Sequence, residues 1–208
     1  MKLFLDTNIL NRVVDFGEYI FDGCLEGQTF DTYNRMSEQD REDVDAICNI
    51  FETLRFGLWP AIVSAISLRE IANTRDEFRR KALMRYAEEL KDYLDAELGE
   101  EVEGARGEWL TSHADNRLFH ALARVKDAAD RELLLEAIER RCDVFLTVDR
   151  RSLWNCRDAI GLEQIRILRP VEVWQAMLRE LRDPRPWRHL HMRGVVAAIN
   201  TPAESQST

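Results

Sequence analysis

Apolar residues along the chain form two alternating kinds of run. Short unbroken runs occur at Leu3–Asp6, Trp59–Ser64, Asp143–Val148 and Ile165–Leu168, each next to a Gly, Pro or acid. They predict four short strands buried on both faces, the third rich in β-formers. Between them, apolar residues recur at helical spacing. A helix is expected from about Ile9 to Asp15, capped by Thr7 or Asn8. Ser37, with Asp40 three residues on, opens a longer one carrying Val44, Ile47, Cys48, Phe51 and Leu54 and stopping near Gly57. Ser64 or Ser67 caps the next, with Leu68, Glu70 and Ile71. Arg75–Leu98 continues as helix, with Phe78, Leu83, Tyr86, Leu90 and Leu94 as its buried stripe. Leu118–Val125, Ala128–Arg141 and Pro170–Arg182 complete the set.

Phe16–Met36 has no clean period and reads as an insertion, while Gly99–Gly107 is a Glu/Gly-rich break. The segment 183–208 reads as a basic, then polar, partly disordered tail. Strands alternating with amphipathic helices predict an α/β fold: a parallel sheet with helices on both faces. One domain is expected over 1–182, enlarged by helical insertions at about 16–57 and 75–117. Ligands in such sheets sit beyond the carboxyl ends of the strands, at a switch in strand order.

Composition changes the picture in one respect. The 208 residues carry a formal net charge of -9, from 29 Lys+Arg against 38 Asp+Glu. A simple nucleic-acid binder would be basic, so this balance argues against one. It leaves room for a nuclease, whose metals need carboxylates. The first third is the most acidic, and the stretch after Asp149 is basic. Cys24, Cys48, Cys142 and Cys156 are scattered and read as free thiols of a reducing compartment. No apolar run approaches the ~20 residues of a membrane span and no signal segment is seen, so a cytoplasmic protein without membrane contact is expected.

The acids stand in a pattern. Asp6 ends the first strand and Asp149 the third, so both belong to one edge of the sheet. Glu70 lies early in the helix after strand two, and Asp127 and Asp130 share one helix face by their i, i+3 spacing. Carboxylates converging on one edge either take a raised pKa or hold a cation. With no His or Cys nearby, the fitting ion is hard and oxygen-loving, Mg²⁺ or Mn²⁺ rather than Zn²⁺. Each acid alone is as well explained as a turn, cap or helix-dipole residue. Thr147 alone is explained by β-propensity.

Taken in order, these segments resemble the PIN-domain family of metal-dependent nucleases. Leu3-Phe4-Leu5-Asp6-Thr7-Asn8-Ile9-Leu10 looks like its opening, and Val63-Ser64-Ala65-Ile66-Ser67-Leu68-Arg69-Glu70-Ile71 resembles its second motif. Asp130 with Leu133, Leu134 and Ala137 is similar to the third, and Phe145-Leu146-Thr147-Val148-Asp149 to the fourth. Ile167-Leu168-Arg169-Pro170-Val171-Glu172 resembles the strand-Pro-helix that closes the fold. The likeness runs from residue 1 to about 180.

It implies a three-layer α/β/α domain in which Asp6, Glu70, Asp130 and Asp149 bind metal. Thr147 would orient an acid or water, and Asn8 would brace the first motif. Asp127 stands as the alternative third-motif acid, and Asp130 is preferred for its distance to Asp149 and the apolar pattern after it. The implied reaction is phosphodiester hydrolysis with Mg²⁺ or Mn²⁺. RNA, single-stranded, is preferred to DNA because most resembling proteins act on RNA. Family members also include toxins of toxin–antitoxin pairs, which implies an antitoxin partner, and homodimers are common among them. The enlarged arms depart from the compact toxins.

Arg150 and Arg151, directly after Asp149, and Arg69, beside Glu70, are the candidate phosphate contacts. Arg75, Arg79, Arg80, Lys81 and Arg85 read instead as a solvated helix face. Arg182, Arg185, Arg188, His189, His191 and Arg193, with Trp187, form the basic tail. Two rivals stand beside the nuclease. An Asp-nucleophile phosphatase would want an Asp where Asn8 stands and a Lys within Glu139–Val148, which has none. A non-catalytic nucleic-acid or protein binding module would more readily have lost one of the four acids.

Overall fold

Four three-residue strands pair side by side in the computed structural model, which describes residues 1–98 and 115–182. They are β1 (Leu3–Leu5), β2 (Ala61–Val63), β3 (Val144–Leu146) and β4 (Arg166–Leu168). All pairs are parallel, in the order β2-β1-β3-β4. The chain leaves β1 to one side for β2 and returns on the other side for β3, so the switch in strand order falls between β1 and β3. The fold is therefore α/β with a wholly parallel sheet.

Side-chain alternation divides the core. Leu3, Leu5, Ala61, Val63, Val144 and Leu146 face one apolar cluster. Phe4, Ile62, Phe145 and Ile167 face the other, where Phe4 and Phe145 stack at 5.5 Å. Helices cover both faces. The first face takes α1 (Thr7–Asp15), α2 (Gly17–Asp22), α4 (Glu38–Leu54), α6 (Glu77–Leu98) and α10 (Pro170–Arg182). The second takes α7 (Asp115–Leu122), α8 (Ala128–Glu139) and the short α9 (Arg157–Ile160). Helices α3 (Gly27–Arg35) and α5 (Ala65–Ala72) complete the described elements.

The caps follow sequence chemistry. Ser37 accepts from the Asp40 amide at the start of α4 and donates to the Asp40 carboxylate at 2.6 Å. Ser64, not Ser67, caps α5 by accepting from the Ile66 amide. Gly57 turns the chain after α4 with φ 62, a left-handed conformation that suits glycine.

Within the helical insertion, Phe16–Met36, which shows no clean period, forms α2 and α3; α3 buries no residue, so it has no apolar period to show. Two expectations are corrected. The helix expected from Arg75 starts at Glu77, after a break at 73–76. Phe78, assigned to its buried stripe, is 85% exposed, while Leu83 and Leu94 of that stripe are buried and Ala87 joins them. The turn Trp154–Cys156 and helix α9 were not foreseen. The Gly99–Gly107 break, Trp109, and the tail with Trp187, His189 and His191 lie outside the described residues. The four cysteines are free. Among the described residues, no helix is long and apolar enough to cross a membrane.

Candidate functional site

One residue past each strand, the chain places a buried polar side chain: Asp6, Ser64, Thr147 and Arg169. The strands are in register, so these four make one row along the carboxyl edge. Buried polar groups stay only where something satisfies or uses them. Ser64 is accounted for structurally: it caps α5 and donates to Glu136, which also pairs with Arg140. The middle of the row, at the switch between β1 and β3, holds Asp6 and Thr147.

Asp6 sits at the N-cap of α1, yet its carboxylate makes no capping bond. It is 1% exposed. Its Oδ2 accepts from the Thr147 hydroxyl at 2.6 Å and from Asn8 Nδ2 at 3.2 Å. Burial pushes its pKa up to about 6; the Thr147 and Asn8 bonds pull it back, and Asp130 and Glu70 add like charge. The Thr147 hydroxyl also accepts from the Asp149 amide at 2.9 Å. One hydroxyl therefore ties the Asp6 carboxylate to the backbone of Asp149.

Asp149 lies beyond β3, at the head of a tight loop. Its Oδ1 accepts from the amides of Arg151 at 2.7 Å and Ser152 at 3.0 Å, and its Oδ2 from the Ser152 hydroxyl. Burial would raise this carboxyl, but the Ser152 hydroxyl, those two amides and the Arg151 charge outweigh it and hold it below its usual value. The Ser152 hydroxyl also lies 3.0 Å from Oδ2 of Asp130, in the first turn of α8. Asp130 is pushed up to about 6 by burial, against its Ser152 bond, with like charge from Asp127, Asp149 and Glu70. A hydroxyl has one proton to give, so Asp130 is the acid that would carry a shared one at mildly acid pH.

Glu70, half-buried on α5, accepts from the hydroxyl of Thr7, the first residue of α1. Asp127 is exposed and spends its Oδ1 capping α8 through the Ala129 amide at 2.8 Å. Asp6, Thr147, Asp149 and Asp130 thus form one bonded chain through Thr147 and Ser152. Glu70 joins it through Thr7 and its charge. Ser152 was not singled out from the sequence, and Thr7 was read as a cap of α1, whereas the N-cap is Asp6 and the Thr7 hydroxyl goes to Glu70. The readable signal was a hydroxyl one residue after Asp6 and another three residues after Asp149.

Of the candidate phosphate contacts, Arg69 and Arg151 are exposed, on α5 and on the Asp149 loop. Arg150 points elsewhere. Its guanidinium bonds Gln39 at 2.9 Å, Asp40 at 2.9 Å and Asp43 at 3.3 Å, all on α4.

A cation site was tested against this arrangement. Among the described residues, no three of His, Cys, Asp and Glu form a group that could hold a metal ion as the side chains stand. Each acid is instead held by a hydroxyl. The donor chemistry nonetheless suits a hard divalent ion: all oxygen, with Asp6 and Asp130 raised by burial first and also by the charge of Glu70, which bears on both. No family model matches the chain, and neither a curated protein nor a solved structure does.

Proposed function

We propose that the protein is a PIN-like nuclease that hydrolyses phosphodiester bonds, with single-stranded RNA as its substrate and Mg²⁺ or Mn²⁺ as its cofactor. The observation that supports it best is the hydroxyl-linked chain of Asp6, Thr147, Asp149, Ser152 and Asp130 at the strand-order switch. Two of its acids are raised to about 6, chiefly by burial and further by the like charge of their neighbours, as suits carboxylates at a functional edge.

Asp6, Glu70, Asp130 and Asp149 would hold the cation. Asp127, spent on its cap, would not. When bound, such an ion lowers the pKa of water and offsets charge on the leaving oxygen. The chain's own part is orientation. Thr147 and Asn8 fix the Asp6 carboxylate, Thr7 fixes Glu70, and Ser152 sets Asp149 against Asp130. Arg151 and Arg69 stand exposed where a phosphate would be held.

The test is cleavage of labelled single-stranded RNA and DNA with Mg²⁺, Mn²⁺ or EDTA. Cleavage of RNA with metal, abolished by EDTA and by Asp6→Asn or Asp149→Asn, is expected. Activity that survives EDTA or both substitutions contradicts the reading. A phosphorylated Asp6 would put the phosphatase in its place.

A further inference from the structure

The loop that carries Asp149 and Ser152 is anchored from outside the site. Asp43, on α4, is almost fully buried and charged. Its Oδ2 accepts from Arg169 Nε at 3.1 Å and Nη2 at 2.9 Å, and from Arg150 Nη2 at 3.3 Å. Arg150 continues outward to Asp40 and Gln39, and Arg169 bonds the Gln39 carbonyl at 3.1 Å.

The same two arginines sit on the loop's frame. Arg169 ends the buried row and lies 5.3 Å from the centre of the Trp154 ring, whose other neighbour is Arg157 at 4.3 Å. The Trp154 amide donates to the Asp149 carbonyl at 3.0 Å, and the Asn155 amide to the Arg150 carbonyl at 3.2 Å. Glu172, in the first turn of α10, accepts from the Trp154 indole at 2.6 Å and from the Arg169 amide at 2.9 Å. Both ends of the segment from Asp149 to Asn155 are held by this set.

The cluster is a poor design for stability alone. Oδ1 of Asp43 and Nε of Arg150 are buried with no hydrogen-bond partner. Buried ion pairs contribute little net stability against apolar replacements, and orphaned polar atoms subtract from it. What such a cluster supplies is fixed geometry between parts that would otherwise move independently. Here the parts are α4, within the helical insertion, and the loop that aims Asp149.

We infer that Arg150 is a positioning residue, not a substrate contact: clamped by Asp43 and Asp40 of α4, it holds the Asp149–Ser152 loop in the geometry the site needs. The inference rests on the nuclease reading for its catalytic consequence, but its structural content stands apart. It also gives the insertion a task. The acidic face of α4 neutralises the arginine nearest the site.

The experiment is amide hydrogen exchange across residues 149–155 in the full chain, with RNA cleavage measured beside it. In Arg150→Ala the Arg169–Asp43 pair remains, so the fold should persist. The Arg151 and Ser152 amides, which bond Asp149, should then exchange at least ~10-fold faster. Arg150→Lys should restore most of the protection, and Arg85→Ala, on the exposed face of α6, should change nothing. Should Arg150→Ala fail to fold, Gln39→Ala removes only an outer bond of Arg150 and should speed exchange by a smaller factor. Cleavage by Arg150→Ala should lose kcat with KM nearly constant. Unchanged exchange in the loop, or a rise in KM at constant kcat, overturns the inference. A wild type that cleaves nothing while the exchange result holds overturns the nuclease reading and leaves the clamp.

Discussion

Asp6 shows what a buried acid costs the fold. Its carboxyl titrates near 6 instead of 3.8. Between those values the folded chain keeps a proton that the unfolded chain has released. Stability therefore falls as pH rises through that window and levels out above about 6, a loss on the order of 3 kcal/mol. Asp6→Asn removes the buried charge and should be more stable than wild type at pH 7 by about 1–3 kcal/mol, read as a higher Tm. A less stable variant would contradict this. The same raised values set the activity profile. Asp130 also titrates near 6, so cleavage should fall as pH drops through about 6, with a log-rate slope approaching two protons. A profile flat across that region would contradict the assignment of both acids.

At the scale of elements, periodicity located what was buried and missed what was not. Four strands were legible because Leu3–Leu5, Ala61–Val63, Val144–Leu146 and Arg166–Leu168 are short and mostly apolar, and because Asp6 and Asp149 follow two of them closely. Helix α3 was illegible because it buries nothing. Helix α6 was legible as a helix, but Phe78 misled because the helix starts only one residue before it, beyond the packed length. Leu83→Ala should accordingly cost about 2–5 kcal/mol in denaturant unfolding, and Phe78→Ala no more than about 0.5. Equal costs would contradict the packing described. The acids of the site were legible by their place after strands. Of their hydroxyl partners, Thr147 was legible through the family resemblance, but Ser152 was not, since nothing in it announces two carboxylates. Nor was the fate of Arg150 readable, because its partner Asp43 is 107 positions away.

For the whole molecule, the net charge of -9 stops being an objection to a nuclease once the charges are located. Some of the negative charge is the site itself. More of it lies on α4, where Asp40 and Asp43 occupy Arg150 and Arg169. Arg69 and Arg151, by contrast, are exposed and lie in the chain beside Glu70 and Asp149. Removing either should lower the slope of log affinity against log salt for single-stranded RNA by about 0.7, the contribution of one phosphate contact. An unchanged slope would remove that residue from the substrate track.

The central claim is that the carboxyl edge between β1 and β3 gathers a divalent cation. It is tested most directly by titrating Mn²⁺ into the full chain and following the free ion by electron paramagnetic resonance. Saturable binding by the wild type, lost in Asp6→Asn and in Asp149→Asn while both variants remain folded, is the predicted result. Absence of saturable binding, or equal binding by wild type and variants, would contradict it.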